Sequence, residues 1–242
     1  MNREYHKWYS PNLQRDMELL VFGHSGAKVL LFPTRTARFY DYENWNIIES
    51  IRSFIDNGWI QVFALDSIDQ ESLYCFWSHP QGRIQRHLQY ENYILNEVIP
   101  LMHKNNPNPY LMSVGCSMGA YHAINIAFKH PQLFGKLVAL SGRYDLTIKL
   151  GMYDDLFSGY YNDTIYYNLP SHYVPNLPED EQLHQIRKMK VTSACGKDDV
   201  FYANNKEFSE TLWWKGITHD FHEWDGMAHK AKYWRQMLPI YL

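Results

Sequence analysis

The order of apolar and polar residues along this chain predicts strands that alternate with helices. Two short apolar runs near the start flank a Ser-Pro-Asn turn at residues 10–12, which is typical of an antiparallel pair of strands. Further along, short apolar runs recur between segments of helical spacing. These predicted strands are AKVLLFP, WIQVFALD, YLMSVGC, GKLVALSG, KVTSACG and THDFHEW. The alternation predicts an α/β fold, with a mostly parallel, twisted sheet and helices on both of its faces.

Five segments have the spacing of helices. In residues 44–58, five apolar side chains share one face and Gly58 provides a stop, which predicts one helix over this stretch. Residues 83–104 predict a longer helix, in which Pro100 is expected to cause a kink or an early end. The remaining predicted helices are GAYHAINIAFKH, ANNKEFSETLWWKG and HKAKYWRQML.

The length of 242 residues and the 45% share of hydrophobic residues are sufficient for one large core. We therefore expect a single α/β domain over residues 1–242. Two irregular segments stand out: residues 66–82, which are rich in polar and aromatic side chains, and residues 142–188, which are rich in tyrosine and turn signals. We expect residues 142–188 to lie over the top of the sheet like a cap and to frame a pocket together with the first segment.

Charge and composition exclude several functional classes. The net charge is −3 and no long run of lysine or arginine occurs, so we expect neither a nucleic-acid partner nor a membrane-surface partner. No apolar stretch is long enough for a transmembrane helix, and the polar start lacks the apolar region of a signal peptide, which predicts a cytoplasmic location. We expect free thiols at Cys75, Cys116 and Cys195. The oligomeric state stays open, a homo-oligomer included.

A G-x-S-x-G motif is formed by Gly115, Ser117 and Gly119 between a predicted strand and a predicted helix. In this context the motif holds a serine hydroxyl above the sheet on a strained turn, and the helix N-terminus favours developing negative charge. The serine is then a nucleophile. The alternative is structural, since the glycines would also serve a tight turn without any chemistry.

A nucleophilic serine needs a base and an acid, and in this architecture both follow it along the chain. His229 comes shortly after the last predicted strand and opens the last helix, so it is the best candidate for the base. The acid should follow the strand KVTSACG, where Asp198 and Asp199 are adjacent. We prefer Asp199, with Asp198 as a turn or capping residue, and Asp145 one strand earlier is a third option.

An oxyanion hole requires two main-chain N–H donors. The N–H of Met118, directly after the serine, is the first candidate. The second should come from the loop after KVLLF, and because Pro33 has no N–H, Thr34 or Arg35 must supply it.

The chain resembles the esterase group of α/β-hydrolases that includes esterase D, the feruloyl and acetyl-xylan esterases and the mycolyltransferases. The resemblance covers nearly the whole chain, and its most specific segment is GCSMGAYHAINIAFKHPQLFGKLVALSG. It implies that Asp199, three residues after a glycine, is the acid. The segment GMAHKAKYW matches a G-x-x-H-x-x-x-x-W ending, which implies that His229 is the base and that Trp234 is the aromatic residue following it.

One segment departs from this family. A His-Gly pair usually follows the third strand there, whereas this chain has FPTRTARFYDYEN, which leaves the second oxyanion donor open. Two arginines of the loop, Arg35 and Arg38, either bring positive charge to the acyl group or face solvent.

The expected function is a serine carboxylesterase that hydrolyses a soluble small ester, such as an aryl, acetyl or sugar ester, without a cofactor. An acyltransferase of the same fold and a catalytically silent binding module are alternatives. A metal hydrolase using His219, His222 and His229 is a further alternative, although residues i and i+3 of a strand point to opposite faces.

Overall fold

The computed structural model describes all 242 residues, which form one eight-stranded sheet flanked by helices. The strands are β1 Arg3–Ser10, β2 Arg15–Phe22, β3 Ala27–Phe32, β4 Ile60–Leu65, β5 Leu111–Cys116, β6 Lys136–Leu140, β7 Lys190–Gly196 and β8 His219–Trp224. Their order in the sheet is β1-β2-β4-β3-β5-β6-β7-β8, and all pairs from β4 to β8 across the sheet are parallel. The predicted α/β architecture is confirmed.

The first two strands form the predicted antiparallel hairpin, and β2 also pairs antiparallel with β4. The turn between β1 and β2 is stabilised by Glu97, a residue of the helical layer. The carboxylate of Glu97 accepts hydrogen bonds from Trp8 Nε1 at 2.6 Å, Ser10 Oγ at 2.7 Å and Asn12 Nδ2 at 2.7 Å. The single carboxylate therefore joins the edge of the sheet to the helices packed beneath it.

Side chains alternate between the two faces of the central strands, so each face has its own core. The helices are α1 Asp41–Asn44, α2 Ile47–Ser50, α3 Arg52–Asp56, α4 Pro80–Tyr93, α5 Ile99–Asn105, α6 Met118–Lys129, α7 Asp163–Tyr166, α8 Pro170–Tyr173, α9 Glu181–Lys188, α10 Tyr202–Trp214 and α11 Ala231–Tyr241. Leu30 and Phe32 belong to the core under α4, α5, α6, α9 and α10, whereas Val29 and Leu31 belong to the core under α2, α3 and α11.

The single helix predicted over residues 44–58 is wrong, because α1 ends at Asn44 and the two short helices α2 and α3 follow it there. Asn46 adopts a left-handed backbone with φ of 56°, a conformation that asparagine tolerates better than most residues, and this interrupts the helix. The apolar face is nevertheless buried as expected, since Ile47, Ile51 and Ile55 are 1% exposed or less.

The sequence predicted that Pro100 would either kink the long helix or end it early, and the helix does not end there. A wider π turn over Ile94–Val98 joins α4 to α5, and the helical path continues through Pro100 to Asn105. Because a proline cannot donate the regular backbone hydrogen bond, a widened turn directly before it lets the helix accommodate the ring.

Residues 142–188 pass over the carboxyl end of the sheet and carry α7, α8 and α9. A small third core lies there, in which Met118 and Tyr121 of α6 pack with Leu146, Phe157 and Ile165. This segment thus covers the start of the helix that follows Ser117. The three cysteines are buried free thiols, as predicted. No helix combines the length and the apolar character needed to span a membrane.

Candidate active site

Ser117 lies on the tight turn between β5 and α6, with φ of 56° and ψ of −120°. Neighbouring glycines make this turn possible. A Cβ on Gly115 would lie 2.1 Å from the carbonyl oxygen of Gly119, and a Cβ on Gly119 would lie 2.4 Å from that of Phe32. The backbone strain at Ser117 is therefore held by close packing of β5, α6 and the end of β3.

His229 and Asp199 lie within hydrogen-bonding distance of the serine and of each other. His229 Nε2 is 2.9 Å from Ser117 Oγ, and His229 Nδ1 is 2.8 Å from Asp199 Oδ2. The carboxylate is completely buried, and its other oxygen accepts a hydrogen bond from the N–H of Phe201 at 3.0 Å. A ring that donates from Nδ1 to the carboxylate presents the lone pair of Nε2 to the serine hydroxyl.

The two other candidate acids lie elsewhere. Asp198 is exposed, and its N–H donates to the carbonyl of Gly226 at 3.0 Å, so it forms part of the turn. The carboxylate of Asp145 is 3.0 Å from His172 Nε2 and accepts hydrogen bonds from Thr147. Of the three aspartates considered, Asp199 is the one hydrogen-bonded to His229.

The histidines proposed for a metal site do not converge. His219 is buried with Nε2 at 2.6 Å from Ser209 Oγ, and His222 stacks on the ring of Tyr241 at 4.5 Å between centroids. His229 points to Ser117 instead. No group of three or more histidine, cysteine or acidic side chains is arranged to hold a metal ion.

Trp234, the aromatic residue implied by the family ending, packs against the base candidate. Its ring lies edge-on to that of His229, with centroids 5.6 Å apart. The indole N–H of Trp234 donates to Ser141 Oγ at 3.2 Å, which orients the indole within the core below the site.

The candidate oxyanion donors lie around the same pocket. Met118 begins α6, so its N–H has no acceptor within the helix, and the N–H groups of Thr34 and Arg35 donate no hydrogen bond within the protein. The ends of β3 and β5 are braced by Tyr42, whose hydroxyl donates to the carbonyl of Phe32 at 2.8 Å and accepts from the N–H of Cys116 at 3.2 Å.

The pocket above Ser117 has a volume of about 210 Å³. Its walls consist of aromatic rings, two arginines, Ser117 and His229, and no acidic side chain lines it. The lining residues are Thr34, Arg35, Trp45, Tyr74, Ser117, Met118, Arg143, Tyr153, Phe201, His229 and Trp234. Of the two arginines considered in the loop after β3, Arg35 lines the pocket, whereas Arg38 pairs with Asp66 and Glu18 at 2.8 Å each.

Several pocket residues were not singled out from the sequence. Tyr74 comes from the irregular loop 66–82 and Tyr153 from the segment 142–188, which were expected to frame a pocket only as segments. Burial raises the pKa of Tyr74 to about 12, although Arg143 and Arg35 oppose this shift, so its phenol is neutral near pH 7. Arg143 follows the carboxyl end of β6, a position at which site residues of α/β sheets are commonly found.

A family model described as "Putative esterase" matches residues 39–241 of the chain. The fold is similar to a ferulic acid esterase, with a TM-score of 0.76, 17% identity and coverage of 98% of this chain and 95% of the other. It is also similar to S-formylglutathione hydrolase from Staphylococcus aureus, with a TM-score of 0.68, 19% identity and coverage of 98% and 95%. A third similar structure is MPT51 of Mycobacterium tuberculosis, with a TM-score of 0.72, 16% identity and coverage of 99% and 96%.

A sequence comparison with curated proteins finds no match. The structural similarities lie below 25% identity and therefore support the fold. The family match extends over most of the chain, including β5 and the serine turn, the loop after β7 and the loop after β8. The chain belongs to the family described as Putative esterase, has the α/β-hydrolase fold and is a carboxylic ester hydrolase.

Proposed function

We propose that the protein is a serine carboxylesterase that hydrolyses a small ester through an acyl-enzyme on Ser117. The observation that carries this proposal is the continuous chain of contacts from Ser117 Oγ through His229 to Asp199, at 2.9 and 2.8 Å. Each member of the chain has a different role, and these roles follow from where its polar atoms lie.

In the first step, Ser117 Oγ attacks the ester carbonyl while His229 Nε2 takes its proton. Asp199 orients the imidazole and stabilises the imidazolium that forms. The N–H of Met118 and that of Thr34 or Arg35 donate hydrogen bonds to the oxygen of the tetrahedral intermediate. The protonated His229 then gives its proton to the departing alcohol, and the acyl group remains on the serine.

In the second step, His229 takes a proton from water, and the hydroxyl attacks the acyl-enzyme. The intermediate collapses, the acid leaves, and the proton returns from His229 to Ser117 Oγ. The protein supplies nucleophile, base and oxyanion donors itself, so the proposed reaction uses no cofactor. If an alcohol took the place of water, the same site would transfer the acyl group, and adding an alcohol during turnover distinguishes the two products.

Labelling with a fluorophosphonate tests the nucleophile, because this reagent modifies serines that are activated by a base and an oxyanion hole. We expect one adduct on Ser117 by intact mass and peptide mapping, and its loss in Ser117→Ala together with ester hydrolysis. Ser113→Ala is the matched control, since Ser113 lies on the same strand with its hydroxyl bound to the carbonyl of Ala123. A folded wild-type protein without any adduct would contradict the proposal and favour a silent binding module.

A further inference from the structure

The charged side chains that line the candidate pocket are all positive. Two guanidinium groups, from Arg35 and Arg143, are part of its wall, and no carboxylate lines it. The nearest acid of the catalytic arrangement, Asp199, is completely buried behind His229 and hydrogen-bonded to that ring. A ligand in the pocket therefore meets two positive charges without a negative charge to balance them.

Arg143 is the more unusual of the two, because it is 3% exposed and has no acidic partner. Its Nη2 donates to the main-chain carbonyls of Ile148 at 2.9 Å and Asp154 at 2.6 Å, and lies 3.5 Å from that of Leu146. These contacts fix the guanidinium in place, the phenol of Tyr74 shares a further hydrogen bond with it, and the buried Nε has no acceptor. The Nε–H donor of this buried group thus remains unused.

The two acids whose charges act on Arg143 are already engaged by other groups. Asp145 accepts hydrogen bonds from Thr147 and lies 3.0 Å from His172 Nε2, and Asp155 accepts from the N–H groups of Phe157 at 2.7 Å and Gly159 at 2.6 Å. Burial lowers the pKa of Arg143 from its ordinary value, yet a guanidinium stays protonated at neutral pH. A buried, charged group without a partner is costly unless a ligand completes its hydrogen bonds.

Arg35 adds a second charge at the open side of the pocket. Its guanidinium carbon lies 5.8 Å from the ring centre of Tyr74 and 5.7 Å from that of Tyr153, and it forms no ion pair. Arg35 is exposed, whereas Arg143 is buried, so the two charges lie at different depths in the pocket wall, and both act on Tyr74. Planar guanidinium groups match the geometry of a carboxylate or a phosphate.

We propose that Arg143 and Arg35 form an anion subsite and that the ester hydrolysed at Ser117 carries a carboxylate or a phosphate group close to its scissile bond. This inference rests on the proposed function, because it assigns a substrate class to the same pocket. The volume of about 210 Å³ favours a short link between the anionic group and the ester.

The test compares esters that differ only in charge. For the acyl side, the pair is monoethyl glutarate and the neutral analogue in which a methyl ketone replaces the carboxylate. For the alcohol side, it is meta-acetoxybenzoate and its methyl ester, with meta-acetoxyphenyl phosphate to distinguish a phosphate from a carboxylate. We expect kcat/KM to be roughly tenfold or more higher for the anionic member of at least one series, as is typical of a hydrogen bond to a charged group.

Variants of Arg143 and Arg35 test whether these arginines cause the preference for the anionic ester. In Arg143→Met and Arg35→Met, the ratio of kcat/KM for the anionic ester to that for its neutral partner should fall towards one. Arg143→Lys keeps the charge and should retain part of the preference. Arg52→Met is the control, because Arg52 is an exposed arginine of α3 paired with Glu49. If Arg143 acted only as a clamp on the three carbonyls, its replacement would slow both esters equally and leave the ratio unchanged.

The outcomes separate this inference from the proposed function. Turnover of the neutral esters and labelling of Ser117, without any preference for an anionic ester in either series, would overturn the anion subsite alone. A preference that persists in both Arg143→Met and Arg35→Met would also overturn it. If no ester is hydrolysed and Ser117 is not labelled, the proposed function itself fails. Because Arg35 is exposed, its variant keeps the test available should Arg143→Met fail to fold.

Discussion

The carboxylate of Asp69 accepts a hydrogen bond from the main-chain N–H of Thr36, with 2.8 Å between Oδ2 and N. Thr36 has a left-handed backbone with φ of 54°, and Asp69 is 2% exposed. The other carboxylate oxygen is 3.2 Å from Nε2 of His122 on α6. Asp69 thereby connects the loop carrying Thr34 and Arg35 to the helix that begins directly after Ser117.

We predict that Asp69→Ala lowers kcat by roughly tenfold or more with a smaller change in KM, since a single oxyanion donor contributes about 10²–10³ in kcat and the loop would lose its anchor. Steady-state kinetics on a neutral ester measure this split. Glu71→Ala is the control, because Glu71 is an exposed acid two residues away that pairs with Arg15 and Arg86. Unchanged kcat in Asp69→Ala would show that the loop is positioned without this hydrogen bond.

Two adjacent aspartates allow a direct test of the acid. We predict that Asp199→Asn reduces kcat roughly ten-thousandfold, because the amide no longer holds the imidazole in the required tautomer. Asp198→Asn should stay within about twofold of the wild type, as expected for an exposed turn residue. Both rates can be measured by hydrolysis of a neutral ester at pH 7. A larger loss of kcat in Asp198→Asn than in Asp199→Asn would show that Asp198, and not Asp199, is the acid.

The packing around the serine turn predicts that Gly119→Ala is destabilising. Its Cβ would meet the main-chain carbonyl oxygens of Phe32 and Pro33 at 2.4 and 2.7 Å, and neither can rotate away. We expect the free energy of unfolding to fall by roughly 3 kcal/mol, the upper part of the range for overpacking, as measured by urea unfolding. Gly82→Ala in α4 is the control, since its Cβ meets the Ser78 hydroxyl at 3.1 Å and that side chain can move. Equal stability of the two variants would disprove the argument.

A buried histidine below the site predicts sensitivity to acid. Burial, with smaller contributions from His122 and Lys129, lowers the pKa of His87 to about 3, while Glu91 acts in the opposite direction. In the unfolded chain the pKa is about 6.5, so the unfolded state binds the proton first as the pH falls. The stability that depends on the neutral ring is therefore complete above about pH 6.5 and is lost as the pH falls towards about 3.

We expect His87→Gln to lose less stability than the wild type between pH 6 and 4, by up to about 1.4 kcal/mol per pH unit. Urea unfolding at several pH values gives both slopes. His184→Gln replaces an exposed histidine of α9 and should follow the wild type. Parallel slopes for wild type and His87→Gln would mean that His87 is protonated equally in the folded and unfolded states.

Local sequence signals singled out the three residues of the proposed catalytic triad. Ser117 directly follows β5, and Asp199 and His229 lie in the loops after β7 and β8, at strand ends that are predictable from short apolar runs. Carboxyl ends of parallel strands meet at one edge of a sheet, so residues distant in sequence are brought together there. The choice between Asp198 and Asp199 also depended on the family resemblance, since both aspartates follow the same strand.

The apolar pattern predicted which side chains are buried better than it predicted where the helices are interrupted. The buried face of residues 44–58 was predicted correctly, but its division into the short helices α2 and α3 was not. Hydrophobic spacing records which side chains face the core, and it does not record the left-handed conformation of Asn46. The early end expected at Pro100 does not occur for a related reason, because a widened helical turn before the proline keeps the same side chains buried.

The sequence by itself predicted the α/β fold, the order of the strands along the chain and the candidate positions of serine, histidine and acid, since these depend on periodicity and on short motifs. Only the tertiary structure decided how the loop after β3 is held and which charges face the pocket. Asp69 forms its hydrogen bond with Thr36, which is 33 residues away in sequence. Arg143 forms no ion pair with Asp145 or Asp155, although both follow it within the same segment, and Asp145 pairs with His172 instead. Burial and the pairing of distant groups set these relationships, and neither is encoded in local spacing.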